Sequence, residues 1–173
     1  RSHGTIVFEG ELHTWHIHGF TQHEEQLYLY GDYVEGHTLS EVLQYSADGF
    51  LPYLSRLTRA LSTLKTSEQP TPVLHARSIV FLDDGGVLFL PPELVGAMSG
   101  FQSPEDRREF YEVYHHPDLD AERNLSYAVA VLAFQSLTGQ VPFEDTEEEE
   151  LIERMRSGLV ANPRYIVPEI MED

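Results

Sequence analysis

The segment at residues 125–137 constrains the fold of this chain more than any other, because it is apolar on nearly all sides. Its sequence, LSYAVAVLAFQSL, is typical of a helix, and a glycine at position 139 ends it. A helix without a polar face has to be surrounded by other elements of the protein. The segment therefore predicts a central helix around which the rest of the chain packs.

The composition is compatible with one such core. The chain has 173 residues, of which 41% are hydrophobic and 23% charged, as is usual for a single globular domain. Cysteine is absent, which excludes disulfides, a thiol nucleophile and thiolate metal sites. No apolar run approaches the ~18 residues of a membrane span. These features predict a cytoplasmic protein, or a cytoplasmic domain of a longer or membrane-anchored one.

The charge of the chain excludes several kinds of partner. Asp and Glu number 29 against 11 Lys and Arg, so the formal net charge is −18. Such a surface repels phosphate backbones and anionic lipids, which argues against binding to nucleic acid and against direct insertion into a membrane. Lysine occurs only at Lys65, so any reaction that needs a catalytic lysine has to use that residue.

Three strands are predicted in the N-terminal third. Residues 5–9 are rich in β-branched and aromatic side chains, residues 12–18 alternate around Trp15, and residues 27–34 form a third run. A short helix at residues 39–45 is expected next.

A longer amphipathic helix follows, because large apolar residues recur at spacings of four, three, four and three from Phe50 to Leu64. Asp48 is its expected N-cap, and the prolines at 70 and 72 prevent its continuation. This helix and the central one are expected to supply the core residues Phe50, Leu54, Leu57, Leu61, Val131, Leu132, Phe134 and Leu137.

A β-hairpin is predicted between the two helices. Residues 78–82 and 87–90 are apolar and flank an Asp-Asp-Gly-Gly turn. The next stretch, residues 91–100, is expected to be irregular. Beyond it, residues 103–106 (Ser-Pro-Glu-Asp) have the pattern of a helix start. Near the C-terminus, Thr146 and Glu149 are expected to form a capping box for the last helix.

Several segments, taken in order, resemble parts of a protein kinase. The sequence LYLYGDYVEGHTL at residues 27–39 resembles the last N-lobe strand and the hinge. By this resemblance Asp32, Tyr33 and Val34 would form the hinge that touches adenine in an active kinase. The helix that ends at Leu64 resembles the long helix before the catalytic loop.

The second half of the chain continues the resemblance. The sequence HPDL at residues 116–119 resembles the Ala-Pro-Glu segment, and residues 125–139 with the following Pro-Phe resemble the central helix of the C-lobe. The resemblance implies an α+β, protein kinase-like fold with a reduced N-terminal antiparallel sheet and a mostly helical C-lobe. Residues 1–38 would hold the reduced N-lobe strands and hinge, and residues 39–173 the C-lobe, as a single compact unit.

The residues that would carry phosphoryl transfer are missing from this pattern. Aligning residues 79–81 with the strand after the kinase catalytic loop places Val73 at the catalytic Asp and Ser78 at the metal-binding Asn. Pro91 stands at the Asp of the Asp-Phe-Gly motif. No Gly-rich phosphate loop is found, and Lys65 belongs to the later helix. The resemblance therefore implies a truncated pseudokinase with no catalytic residues, no metal and no cofactor.

Histidines support an alternative from another class, a metal-binding domain or a metal-dependent enzyme that uses His and Asp. His16 and His18 are two apart on a predicted strand and therefore share one face, whereas His13 has the opposite parity. The competing interpretation is an exposed polar strand face and a surface loop. The two candidate groups are His13, His16, His18 and His23, and His115, His116, Asp118 and Asp120.

The main prediction is a regulatory or scaffolding signalling module that binds a protein partner. The acidic helix start, Glu147, Glu148, Glu149 and Glu150, would steer a basic partner, and it also has the simpler interpretation of a solvated first helical turn. The second predicted surface is the sheet edge at residues 27–34. That edge would be covered by the chain's own N-terminus, by a partner or by a second copy in a homo-oligomer.

Overall fold

The first third of the chain forms two consecutive β-hairpins in the computed structural model, which describes residues 2–169. Two-residue turns join the strands, and all four turn residues have positive φ (Glu9, Gly10, Glu24 and Glu25), as in turns whose twist matches that of the flanking strands. The three strands are β1 (His3–Phe8), β2 (Glu11–His23) and β3 (Gln26–Gly31).

One antiparallel sheet unites these hairpins with the middle of the chain. Its strand order is β3-β2-β1-β6-β5-β4, in which β4 is Gly36–Thr38, β5 is Ile79–Leu82 and β6 is Val87–Phe89. The joining contact is the pairing of β1 with β6, which sets Val7 opposite Val87. The hairpin at β5 and β6 is confirmed, and the sheet extends well beyond the N-terminal third.

The link at residues 32–35 forces this sheet to curl. It connects β3 to β4, which are the two edge strands. In a flat sheet of this size the edges would be ~24 Å apart, because neighbouring strands are spaced by ~4.8 Å. The five residue steps from Gly31 to Gly36 span at most ~18 Å. The sheet therefore curls until its edges approach each other at the link.

The curled sheet is apolar on both faces. Alternate residues of β5 and β6 face the helices and join the main core, together with Val7 of β1. The opposite residues line the concave face around Trp15, which packs with Leu82 and Leu88. Half-buried side chains complete that second cluster: Ile6, Ile17, Leu29, Val34, Val80 and Leu90.

Helices cover the convex face of the sheet and build most of the main core. Among residues 2–169 none of them has the length and apolarity needed to cross a bilayer. They are α1 (Leu39–Val42), α2 (Ala47–Thr66), α3 (Pro92–Ser99), α4 (Pro104–Phe110), α5 (Ala121–Thr138), α6 (Glu148–Ser157) and α7 (Pro163–Ile166), with a 3-10 turn at Glu112–Tyr114.

Three local predictions are wrong. Residues 91–100 are not irregular, because α3 accepts prolines before and at its first position, where a missing N–H costs nothing. Ser46, and not Asp48, caps α2 by accepting the N–H of Gly49. Thr146 and Glu149 do not form a capping box, because α6 begins one residue later and Glu147 is its N-cap.

The core prediction is confirmed for most residues and wrong for one. Leu57, Leu61 and Leu132 are among those buried, as are Phe50 and Val131. Leu54 and Phe134 are half-buried. Leu137 is 40% exposed, because it lies outside the fully buried stripe of α5, which consists of Ala128, Val131 and Leu132.

We expect Gly36→Ala to lower the free energy of unfolding by about 1–3 kcal/mol. A Cβ at Gly36 would lie 2.2 Å from the carbonyl oxygen of Phe81, and a backbone atom cannot move aside as a side chain can. The matched control is Gly96→Ala in α3, where a Cβ meets nothing within 4 Å. Urea denaturation should show stabilisation of the control by about 0.5–1 kcal/mol. Equal effects of the two variants would contradict the close approach of β4 to β5.

Candidate functional site

A cleft of about 560 Å³ lies between β1, the link at residues 32–35 and the turn that joins β5 to β6. Its apolar floor consists of Ile6, Phe8, Val34 and Leu82. The remaining lining residues are His13, Tyr33, Glu35, Asp83 and Asp84.

Backbone hydrogen bonds fix the acidic side of this cleft. The N–H of Asp83 donates to the carbonyl of Glu35 at 2.9 Å, which ties the turn to the link. Asp84 Oδ1 accepts the N–H of Gly86 at 2.8 Å and holds the turn closed. The three carboxylates therefore lie on segments that are attached to each other.

The electrostatics of the cleft favour a cation. Glu35, Asp83 and Asp84 are exposed carboxylates, and within residues 2–169 no Lys or Arg is among the lining residues. Phosphate groups would meet only negative charge there. An Arg or Lys side chain suits the cleft better, because its alkyl stem can lie on the apolar floor while its charged head reaches the carboxylates.

The structure separates the three predicted hinge residues. Tyr33 and Val34 line the cleft, and Tyr33 is 86% exposed with its hydroxyl 3.4 Å from Glu35 Oε1. Asp32 instead lies on the outer face of the sheet, where it contacts β2. Only part of the predicted hinge therefore contributes to the site.

Asp32 is the centre of a surface cluster with two histidines. His16 Nδ1 lies 2.8 Å from Oδ2 and His18 Nε2 lies 2.9 Å from Oδ1. The backbone N–H and the ring of His16, with a smaller contribution from His18, hold the pKa of Asp32 below its ordinary value. The predicted common face of His16 and His18 is confirmed by this shared contact.

Neither predicted histidine group forms a metal centre. Within residues 2–169 no three His, Asp or Glu side chains are arranged to hold a metal ion. His13 lines the cleft, away from the other histidines of its group. In the second group, Arg156 donates to both carboxylate oxygens of Asp118, and His116 Nδ1 accepts the N–H of Asp118.

The positions aligned with kinase catalytic residues have structural contacts. Val73 is half-buried, and the Ser78 hydroxyl donates to the carbonyl of His75 at 3.0 Å. Pro91 precedes the first turn of α3. Lys65 forms an ion pair with Glu122 on α5. None of these residues lines the cleft.

Two histidines, His75 (buried) and His115 (half-buried), fasten the segment before β5. His75 accepts the N–H of Arg77 at Nδ1 and contacts Gln102 Oε1 through Nε2, which fits a neutral ring that donates from Nε2. His115 Nε2 contacts the carbonyl of Leu74 at 2.9 Å. Burial is the main cause that lowers the pKa of both histidines.

The acidic helix start is exposed and partly paired within the chain. Glu147, Glu148, Glu149 and Glu150 all lie at the surface. Arg107 lies 3.5 Å from Glu148. Arg154 donates to the neighbouring Asp145 at 2.7 Å. These internal cations offset part of the negative charge that would attract a partner.

Arg56 is a positioning residue that the sequence pattern does not single out. Its Nη2 donates to the carbonyls of Leu82 and Gly86, at 2.7 and 2.9 Å, so α2 holds the turn that borders the cleft. The guanidinium also lies 5.5 Å from the ring centroids of Tyr53 and Phe81. An arginine between the apolar positions of a helix carries no motif that would reveal this contact.

No protein-family model matches this chain, and no curated protein matches it significantly. The features of the cleft are an apolar floor, three carboxylates, and a wall formed by Tyr33 and Val34.

We expect the free energy of unfolding to decline as the pH falls below 6.5. The folded pKa values of His75 and His115 lie below the ordinary 6.5, so in that range the unfolded chain binds protons that the folded chain does not. As the pH falls from the unfolded to the folded pKa of a histidine, that histidine lowers the free energy of unfolding by about 1.4 kcal/mol for every pH unit. The double variant His75→Gln and His115→Gln keeps hydrogen-bonding groups without a titrating ring. Urea denaturation from pH 8 to pH 5 should give a flatter profile for this variant, and parallel profiles would contradict the assignment.

Proposed function

We propose that this chain is a non-catalytic, kinase-like domain that regulates or scaffolds by binding a basic segment of another protein. The observation that carries the proposal is the cleft, which combines an apolar floor with Glu35, Asp83 and Asp84 and has no Lys or Arg among its described lining residues. Its wall includes Tyr33 and Val34, from the segment that resembles a kinase hinge.

Loss of phosphoryl-transfer chemistry supports the non-catalytic part of the proposal. Phosphoryl transfer depends on a base, metal ions and cations placed around the phosphates. Val73 has no proton-accepting group, Ser78 donates its hydroxyl to the backbone, and Lys65 is paired with Glu122. A nucleotide in the cleft would have its phosphates next to carboxylates.

Charge supports a basic protein as the partner. The net charge of −18 disfavours polyanions and accelerates encounter with cations. Locally, the cleft can accept an Arg or Lys side chain, and the exposed Tyr33 ring can stack on a guanidinium. The acidic helix start would add long-range steering to this local recognition.

We expect millimolar ATP with Mg²⁺ to leave the melting temperature unchanged. A ligand that binds the folded state well above its Kd stabilises it by a few kcal/mol, which a thermal melt resolves easily. ADP without metal and Mg²⁺ alone are the controls. A rise in melting temperature that requires both nucleotide and Mg²⁺ would overturn the non-catalytic assignment, and a rise with Zn²⁺ or Mn²⁺ alone would favour a metal-binding protein.

We expect neutralisation of the cleft to weaken binding of a peptide of alternating Leu and Arg by roughly tenfold, because three charge contacts are lost. The variant carries Glu35→Gln, Asp83→Asn and Asp84→Asn, and the amide oxygen introduced at position 84 can still accept the turn hydrogen bond. Titration calorimetry at two salt concentrations measures the affinity and its salt dependence.

The matched variant replaces Glu147, Glu148, Glu149 and Glu150 with Gln and tests the acidic helix start in the same assay. Its melting temperature should change by only a few degrees, because these side chains are exposed. It should reduce the salt dependence more than the affinity, since it removes steering rather than contact. A larger loss of affinity in this variant than in the cleft variant would move the proposed binding surface to α6.

A further inference from the structure

The outer edge of β3 presents unpaired backbone groups to solvent. Among the described residues 2–169, β3 is the last strand of the sheet and pairs with β2 alone. The N–H of Asp32, just after the strand, donates to His16 of β2 at 3.0 Å. Because backbone N–H groups alternate sides along a strand, those of Leu27, Leu29 and Gly31 point away from β2. Their carbonyls point the same way, so the edge offers donors and acceptors in register.

The sequence of β3 contains none of the features that usually block such an edge. Natural edge strands are protected by Lys, Pro, a bulge or short length. β3 reads Gln-Leu-Tyr-Leu-Tyr-Gly, which is uncharged and rich in strand-forming residues. The bulge in this hairpin is in β2, between Ile17 and Gly19, and leaves β3 regular. The opposite edge strand, β4, has only three residues.

Apolar groups flank the open edge on both faces. Tyr28 and Tyr30 are 45% and 51% exposed on one face. On the other face Phe20, which is opposite Leu29 in the register, is 50% exposed. A strand laid against β3 would bury side chains on both faces in addition to its backbone hydrogen bonds.

Charge at the ends of β3 selects the occupant. Glu24 and Glu25 form the turn before the strand, and Asp32 follows it. Asp32 is already shared by His16 and His18, so the turn is the stronger acidic end. If β3 of a second copy paired with this edge, carboxylates of the two copies would lie close together. Parallel pairing would place the two acidic turns side by side, and antiparallel pairing would place Glu25 of each copy near Asp32 of the other. A strand with basic residues at both ends would place a positive charge near the acidic turn whether it pairs parallel or antiparallel to β3.

We propose that the outer edge of β3 binds an extended segment of another protein, uncharged and alternating in its centre and basic at its ends, as an added strand. The proposal rests on the proposed function as a protein-binding domain and specifies a surface and a partner chemistry for it. Binding would bury the donors and acceptors of Leu27, Leu29 and Gly31 and leave the cleft residues untouched.

The test uses a synthetic peptide that alternates Val and Thr in its centre and has two lysines at each end. Amide hydrogen exchange of the full chain, followed by NMR, should show new protection at Leu27, Leu29 and Gly31. Tyr28 and Tyr30, whose amides face β2, should change little. This alternation is a readout that a general stabilisation of the chain would not produce.

Two variants accompany the peptide. Glu24→Gln with Glu25→Gln should weaken binding roughly threefold to tenfold, as expected for two exposed charge contacts, whereas Glu105→Gln with Glu109→Gln, two exposed carboxylates on α4, should not. Leu27→Pro removes one outward N–H without removing a bond to β2 and should abolish binding. If that variant does not fold, the exchange pattern of the unchanged chain with the peptide still tests whether β3 is the binding surface.

Several results would overturn the inference. If the peptide binds and protection or chemical-shift changes appear at Glu35 and Asp83 but not at β3, the edge proposal fails while the proposed function stands. If the same three amides gain protection with protein concentration and no peptide, the occupant is a second copy. If a peptide with glutamates at its ends binds equally well, the predicted partner chemistry is wrong. If neither the lysine-ended peptide nor the Leu-Arg peptide binds, both proposals fail.

Discussion

The rest of the structure depends on one hydrogen bond, which Trp15 Nε1 donates to the carbonyl of Asp32 at 2.8 Å. It fastens the beginning of the link to the middle of β2. Glycines allow the ring to lie so close to the backbone, because a Cβ at Gly31 would be 2.4 Å from Trp15 and one at Gly4 would be 3.0 Å away. With the ring in place, the chain crosses from one edge of the sheet to the other in four residues, which produces the curl and the cleft.

Local chemistry made much of the fold predictable. The hairpins, α2 and the end of α5 at Gly139 follow from alternation, helical period and turn residues close together in sequence. The pairing of β1 with β6 could not be predicted in this way, because it joins segments about 80 residues apart and leaves no local pattern. The prediction of an irregular segment at residues 91–100 is wrong, because two prolines lie at the start of α3 and proline is well tolerated at a helix start.

The site was less predictable than the fold. Strand parity correctly places His16 and His18 on one face, but the carboxylate between them comes from Asp32, after the next strand. The kinase resemblance points to Tyr33 and Val34 as hinge residues, and the structure places both in the cleft wall. The acidic partners of that wall, Asp83 and Asp84, have the sequence of an ordinary turn. Only the curl of the sheet brings that turn to the link.

The same short link explains why a cleft and an open edge occur in one sheet. A sheet that curls with enough length in its connection can pair its first and last strands and leave no edge. Here the chain leaves β3 at Gly31 and enters β4 at Gly36, so the two strands are tethered at one end only, and β4 has three residues against six in β3. The link therefore closes the sheet at the cleft, while the outer edge of β3 stays unpaired among the described residues. That edge lies next to the acidic groups that would select a basic strand.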